Sequence, residues 1–218
     1  MSARRVLAEK KRRRCPTPNT QHLTPSTQHP TPNTPAIDAA PAAPYALAPQ
    51  LGIVLAYTLI AERPEHAAAI ERVLDRAFGP GRFAKTSERV RERGARAEPA
   101  LSRVAVDDEG EVVGVCRIWR VKAGAELFFL GPLAVDPAAQ AAGLGLELTR
   151  AAVAACRASG GNGVVLVGAE RFFRPLGFTV VPVGRIALPA PVDPQRLLWL
   201  ELRPGGLDAL RGEIVAPS

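Results

Sequence analysis

Ala68, Ile70, Val73, Leu74 and Ala77 recur at three- and four-residue intervals, which places them along one face of a helix. Arg63-Pro64-Glu65 opens that helix, with proline in the first turn and an acid near the positive end, and Gly79-Pro80-Gly81 ends it. A charged second helix is predicted over 86–93, capped by Thr86 or Ser87. Residues 101–106 and 112–121 flank the turn Asp107-Asp108-Glu109-Gly110 and read as a β-hairpin. Residues 126–135 form a nearly continuous apolar run, the pattern of a strand buried on both faces. Leu144, Leu148, Ala151, Ala152 and Ala155 mark a helix from about Gly143 to Ser159, closed by Gly160-Gly161. A second fully apolar strand follows at 164–167.

Strand, helix and strand in that order require a right-handed crossover between parallel strands. A strand at 53–61 precedes the first helix. A short helix at 171–176, a strand from Phe178, a Pro-rich loop and a final strand at 197–202 complete the pattern. The predicted order is β-α-α-β-β-β-α-β-α-β-β, a mixed α/β fold with an antiparallel front half. Pro132 falls inside the buried strand, and proline supplies no N–H to a sheet ladder. Pairing must therefore break or bulge there, letting the strands at 127–135 and 164–167 splay apart.

The first fifty residues obey none of these periods. Residues 17–37 repeat every seven residues, as in Thr17-Pro-Asn-Thr-Gln-His-Leu23, with a proline in each copy and no apolar seam. The segment reads as a disordered basic and Thr/Pro-rich extension over 1–50, ahead of one folded domain over 51–218. The formal charge of +7 and a pI near 10.0 suggest a polyanionic partner, but the charge is local. Residues 1–14 hold seven basic side chains against Glu9, whereas 51–218 carry 21 basic and 19 acidic ones. A nucleic-acid partner therefore ranks last. Cys15, Cys116 and Cys156 have no metal or redox spacing, and two of the three histidines, His22 and His29, sit in the repeat. No metal site is expected. No apolar run approaches a membrane span, so a cytoplasmic protein is the default expectation.

The chemistry concentrates in Leu133-Ala-Val-Asp-Pro-Ala-Ala-Gln-Ala-Ala-Gly-Leu-Gly145. A buried strand runs into a turn, and a Gly-x-Gly step then opens an amphipathic helix. First-turn N–H groups have no partner within the helix, and glycines let an anion approach them closely, so the combination suits a pyrophosphate. The spacing Val135-x-Pro137-x-x-Gln140-x-x-Gly143-x-Gly145 resembles the acetyl-CoA motif of the GNAT N-acetyltransferases. Gly79-Pro-Gly-Arg-Phe-Ala-Lys-Thr86, Leu130-Gly-Pro-Leu-Ala-Val-Asp-Pro137, Phe172-Phe-Arg-Pro-Leu-Gly-Phe178 and Leu188-Pro-Ala-Pro-Val-Asp-Pro194 are similar to the YhbS-like branch of that family.

The resemblance implies a GNAT fold over roughly 55–217, with a central mixed sheet of about six to seven strands flanked by helices. It implies acetyl-CoA as co-substrate and an amine-bearing acceptor, and it leaves a homodimer open. Backbone groups of Leu133, Ala134 and Val135 would pair with pantetheine. Gln140, Ala141, Ala142, Gly143, Leu144, Gly145 and Leu146 would surround the pyrophosphate, with backbone N–H groups over 141–146 as donors. Two departures stand out. The position before the first glycine is commonly basic in the family and the one before it often glycine, but here they are Ala142 and Ala141. The tyrosine that protonates the leaving thiolate in many GNAT enzymes aligns with Phe172 or Phe173, which read here as core packing. The catalytic residues stay unknown. Glu126 and Asp193 are weak candidates for a base, Glu170 lies in a loop, and Arg117 and Arg120 read as surface residues. The leading reading is direct acetyl transfer to a primary amine in a ternary complex; the alternative is an acyl-CoA-binding sensor or pseudoenzyme without turnover.

Overall fold

The computed structural model describes residues 56–84, 86–139 and 143–217. The extension expected over 1–50 lies outside the described residues, as do Gln140, Ala141 and Ala142. Strand β1 (Tyr57–Ala61) leads through a short 3-10 turn into α1 (Ala67–Phe78), then α2 (Thr86–Glu92) and β2 (Arg96–Ala97). Strands β3 (Arg103–Asp107), β4 (Val112–Ala123) and β5 (Ala125–Val135) form the antiparallel front. Helix α3 (Leu144–Ala158) crosses to β6 (Gly163–Val167), followed by α4 (Glu170–Phe173), β7 (Thr179–Val180), β8 (Ile186–Ala187), β9 (Leu197–Glu201) and β10 (Gly212–Glu213). The main sheet runs β1-β3-β4-β5-β6-β9-β7, with β2 beside β4. Its β5–β6 pair is parallel, as the crossover requires, and its other pairs are antiparallel.

Side chains alternate across the sheet, so neighbours on a strand serve different layers. Cys116 and Ile118 of β4, with Phe128 and Leu130 of β5, pack beneath Leu144, Leu148, Ala152 and Cys156 of α3. Val115 turns the other way and joins Val104 and Ala134 under Ile70, Val73 and Leu74 of α1.

The sheet loses its regularity at one place. Cys116 pairs with Leu133 and Ile118 with Leu130, so Gly131 and Pro132 together oppose Arg117. Gly131 adopts φ 142, a conformation that favours glycine. Its carbonyl accepts a hydrogen bond from Trp119 Nε1 at 2.6 Å. On the far side, β5 pairs with β6 only from Phe128 to Leu130. Beyond Leu130 the two parallel strands part, at the step where the missing N–H of Pro132 led us to expect it.

Arg117 and Arg120 are not free surface residues. Arg117, its side chain 15% exposed, pairs with Glu62 at 2.8 Å and Glu71 at 3.2 Å. Glu71 also pairs with Arg82 at 2.8 Å. Burial alone would raise the Glu71 carboxyl, but Arg82 and Arg117 beside it hold it below its ordinary value. Arg120 reaches Glu98 at 2.7 Å. These pairs brace α1 and the segment after it against the bulge. The last predicted strand does not end the fold: β10 pairs in parallel with β8, and Val215 bridges to Lys122. Two-residue strands carry no readable period, which is why β2, β8 and β10 were not expected.

Ser102, 1% exposed, accepts from the Ile118 N–H at 3.0 Å and donates to Glu98 O at 3.0 Å. Ser102→Ala leaves a buried strand N–H beside the bulge without its acceptor. It is expected to lower unfolding stability by about 1–3 kcal/mol, measured by urea denaturation, whereas a change near zero would show that the bond carries no weight.

Candidate active site

Where β5 and β6 diverge, a cleft of about 680 Å³ opens. Its floor is the separated backbone at Leu130, Gly131, Pro132, Leu133, Leu166 and Val167. Phe78, Ala84 and Thr86 close one side, and Arg171 and Phe172 of α4 form another. The Pro-rich loop supplies Pro191, Val192, Asp193 and Arg196. Thr86 Oγ1 donates to Pro191 O at 3.0 Å, so this loop is tied to α2 across the cleft.

The open edge of β5 has a defined polarity. Asp136 N–H donates to Val113 O at 2.8 Å, so the backbone groups of Asp136, and by the two-residue period those of Ala134, face β4. Those of Leu133 and Val135 face away, toward the gap left by β6. Of the three residues named from the resemblance, Leu133 at the cleft and Val135 beyond its lining turn their backbone donors and acceptors to the open side of β5, and Ala134 does not.

Helix α3 begins at the same end of β5. Gly143 is its N-cap, with φ 105. The N–H groups of Leu146 and Glu147 both donate to Gly143 O, at 2.9 and 3.0 Å. Leu146 is thus engaged within the turn, while the N–H groups of Gly143, Leu144 and Gly145 meet no acceptor among the described residues. They point outward at the positive end of a fifteen-residue helix, a ready anion site. Two ties fix this terminus. Tyr57 Oη donates to Glu147 at 2.7 Å, and burial together with that carboxylate pushes the tyrosine pKa up to about 12. Asp136 pairs with Arg76 of α1 and accepts from the Ala138 N–H at 3.0 Å. Gly145 also makes room, since a Cβ there would lie 3.3 Å from Phe172 Cζ.

The Acetyltransferase (GNAT) family model matches residues 67–178, which include α1, the bulged strand, α3, β6 and α4. The chain belongs to the GNAT acetyltransferase family. Among solved structures, it is similar to the GNAT family N-acetyltransferase YhbS from Escherichia coli, solved in complex with CoA. That match has 25% identity and a TM-score of 0.64, and covers 77% of this chain and 93% of that one. A GNAT family acetyltransferase from Brucella melitensis, solved with acetyl-CoA, is 28% identical, with a TM-score of 0.55 over 75% of this chain and 97% of its own. A search of curated proteins finds no match to the sequence.

Within this GNAT fold the catalytic candidates separate. Glu126 lies near the start of β5, about 20 Å along the strand from the bulge, where it pairs with Arg120 at 3.3 Å and does not line the cleft. Glu170 begins α4 rather than lying in a loop, and it is exposed outside the cleft lining. Asp193 is the one carboxylate among the described lining residues. The two phenylalanines also differ. Phe173 is 7% exposed and packs edge-on against Phe178, with ring centroids 5.7 Å apart. Phe172 is 39% exposed and lines the cleft, so core packing accounts for only one of them.

Arg171, Arg196 and Thr86 were not singled out as site residues, because nothing local in the sequence brings α2, α4 and the loop before β9 together. The proline spacing of that loop was the available signal, and it marked a loop without its neighbours. Among the described residues no cluster of His, Cys, Asp or Glu is suited to a metal ion, and no helix is long and apolar enough to cross a membrane.

Neither described thiol lines the cleft. Cys116 and Cys156 are each 0% exposed, and burial raises both, Cys156 to about 12. In a Cys15→Ser chain at pH 8, neither is expected to react with a thiol-titrating disulfide reagent until the protein is unfolded. Labelling of either in the native state would contradict the packing described.

Proposed function

We propose that the protein moves acetyl from acetyl-CoA to a primary amine by direct transfer within a ternary complex. The observation that carries this reading is the parting of β5 and β6 beyond Leu130, with an open backbone edge at the end of β5 near which α3 starts with N–H groups that meet no acceptor among the described residues. The Leu133 and Val135 edge groups would receive the pantetheine amides as an added strand does. The N–H groups of Gly143, Leu144 and Gly145 would hold the pyrophosphate, along with whatever 140–142 contribute. Ala142 brings no cationic side chain, so backbone donors and the helix dipole do this work. CoA and acetyl-CoA in the two similar structures support the same occupant here.

The thioester would then sit at the fork, walled by Phe129, Leu130 and Leu166. These apolar walls exclude water from the acyl carbon and favour the amine as nucleophile. The amine nitrogen bonds to the acetyl carbon, the carbon–sulfur bond breaks, and the amine proton passes to solvent or to the departing thiolate. Raised thiol pKa values at Cys116 and Cys156, and the burial of both in the core between the sheet and α3, argue against an acetyl-cysteine intermediate.

A second reading is an acyl-CoA-binding protein without turnover. Phe172 favours it, because its ring occupies the α4 wall of the cleft and has no proton to give. Loss of one general acid lowers a rate by about 10²–10⁴-fold, and a thiolate leaves without one more readily than most groups, so slow transfer is the expectation.

Calorimetry on the full chain should show acetyl-CoA binding in the micromolar range. Gly143→Val with Gly145→Val should weaken it by at least about tenfold, or 1.4 kcal/mol, with circular dichroism checking the fold. Release of free CoA thiol that depends on an added amine then supports transfer; binding without release supports the second reading. A folded wild-type chain that does not bind acetyl-CoA rules out both.

A further inference from the structure

The function proposed above leaves the acceptor open, and the charges inside the cleft narrow it. Among the described residues, three charged side chains line it: Arg171 at the start of α4, with Asp193 and Arg196 on the turn that leads into β9. All three residues are exposed, and none forms an ion pair with another or with any other described residue. Around the bulge the opposite holds, because Arg82, Arg91 and Arg117 each pair with carboxylates. The cleft charges are thus left to be matched by a ligand.

Their placement is not that of a loose surface. Asp193 Oδ1 accepts from the Gln195 N–H at 3.0 Å, which fixes the carboxylate at the head of its turn. The Thr86–Pro191 bond ties the same loop to α2 at the cleft wall. Beside these charges the described wall includes the apolar side chains Phe78, Phe129, Phe172 and Val192. A cleft of about 680 Å³ suits a metabolite-sized molecule. One carboxylate and two guanidiniums in it complement an ammonium and an anion on the same ligand, and Arg presents a planar fork that suits carboxylate and phosphate oxygens.

Resting on the acetyl-transfer reading, we propose that the acceptor is a small amine that also carries an anionic group. Asp193 receives its ammonium, which gives one proton to solvent before the nitrogen attacks, and Arg196, reinforced by the field of Arg171, holds its carboxylate or phosphate. Asp193 and Arg196 are then specificity-determining residues for the acceptor. A diamine would place a second cation among guanidiniums, and a plain alkylamine would leave Arg196 unmatched.

The test compares kcat/KM on the full chain, by CoA thiol release, for four amines of matched length. These are a short amino acid, an aminoalkyl phosphate, an alkylamine without an anion, and a diamine. One of the two anionic amines is expected to exceed the alkylamine and the diamine by at least about tenfold, and comparing the two tells which anion the site takes. Arg196→Gln should erase the preference by raising the acceptor KM, with the calorimetric acetyl-CoA Kd unchanged, and Arg196→Lys should restore part of it. Asp193→Asn should raise KM for every amine.

Equal or faster turnover of the alkylamine or diamine overturns the proposal. So does an Arg196→Gln effect that falls on acetyl-CoA affinity instead of acceptor KM. Acetyl-CoA binding with no turnover of any of the four overturns this proposal and leaves the binding reading standing, whereas absence of acetyl-CoA binding overturns both.

Discussion

A buried strand that contains a proline has one backbone position with no hydrogen to give, and the sheet must rearrange around it. In this chain the rearrangement is a two-residue bulge. Gly131 takes φ 142, Pro132 follows, and both stand opposite Arg117. Trp119 satisfies the Gly131 carbonyl from within β4, so the distortion is held on one side of the strand. On the other side nothing replaces the lost pairing, and β6 goes its own way after Leu130. The cleft follows from that departure.

The neighbouring elements keep the fork in shape. The ion pairs of Arg117 with Glu62 and Glu71, and of Arg82 with Glu71, draw α1 and the turn after it onto the bulge. Asp136, just past the open edge, is held by Arg76 from α1, so the strand end and the start of α3 share one anchor. Tyr57 from the sheet edge holds Glu147 in the first turn of the same helix. Individually such pairs are weak where they are exposed. Their value here is positional, because they set the end of β5 and the first turn of α3 in a fixed relation.

Much of this was legible from residue spacing. The stripe from Leu144 to Ala155 predicted α3, the apolar runs beside it predicted two buried strands, and the crossover rule then made them parallel. Pro132 announced the break. The side on which the break opens was not legible, because it depends on Trp119 reaching Gly131 across the sheet. Ion pairing explains why Arg117 and Arg120 were misread: their partners, Glu62, Glu71 and Glu98, come from elements whose packing no local pattern reveals. Phe172 and Phe173 are adjacent and alike, yet a four-residue helix turns one into the core and the other into the cleft. The GNAT resemblance named 133–135 and 140–146 as expected cofactor contacts, and only the geometry separated the backbone orientation of Leu133 and Val135 from that of Ala134, and Leu146 from Gly143, Leu144 and Gly145.

The central proposal is that the open edge of β5 and the first turn of α3 together receive acetyl-CoA. Residue-resolved amide hydrogen exchange, with and without acetyl-CoA, tests it directly. The account predicts new protection at the N–H groups of Leu133, Val135, Leu144 and Gly145, with Ala134 and Leu146, already bonded within the protein, changing least. Protection confined to other parts of the sheet, or equal changes at Ala134 and Val135, would contradict it.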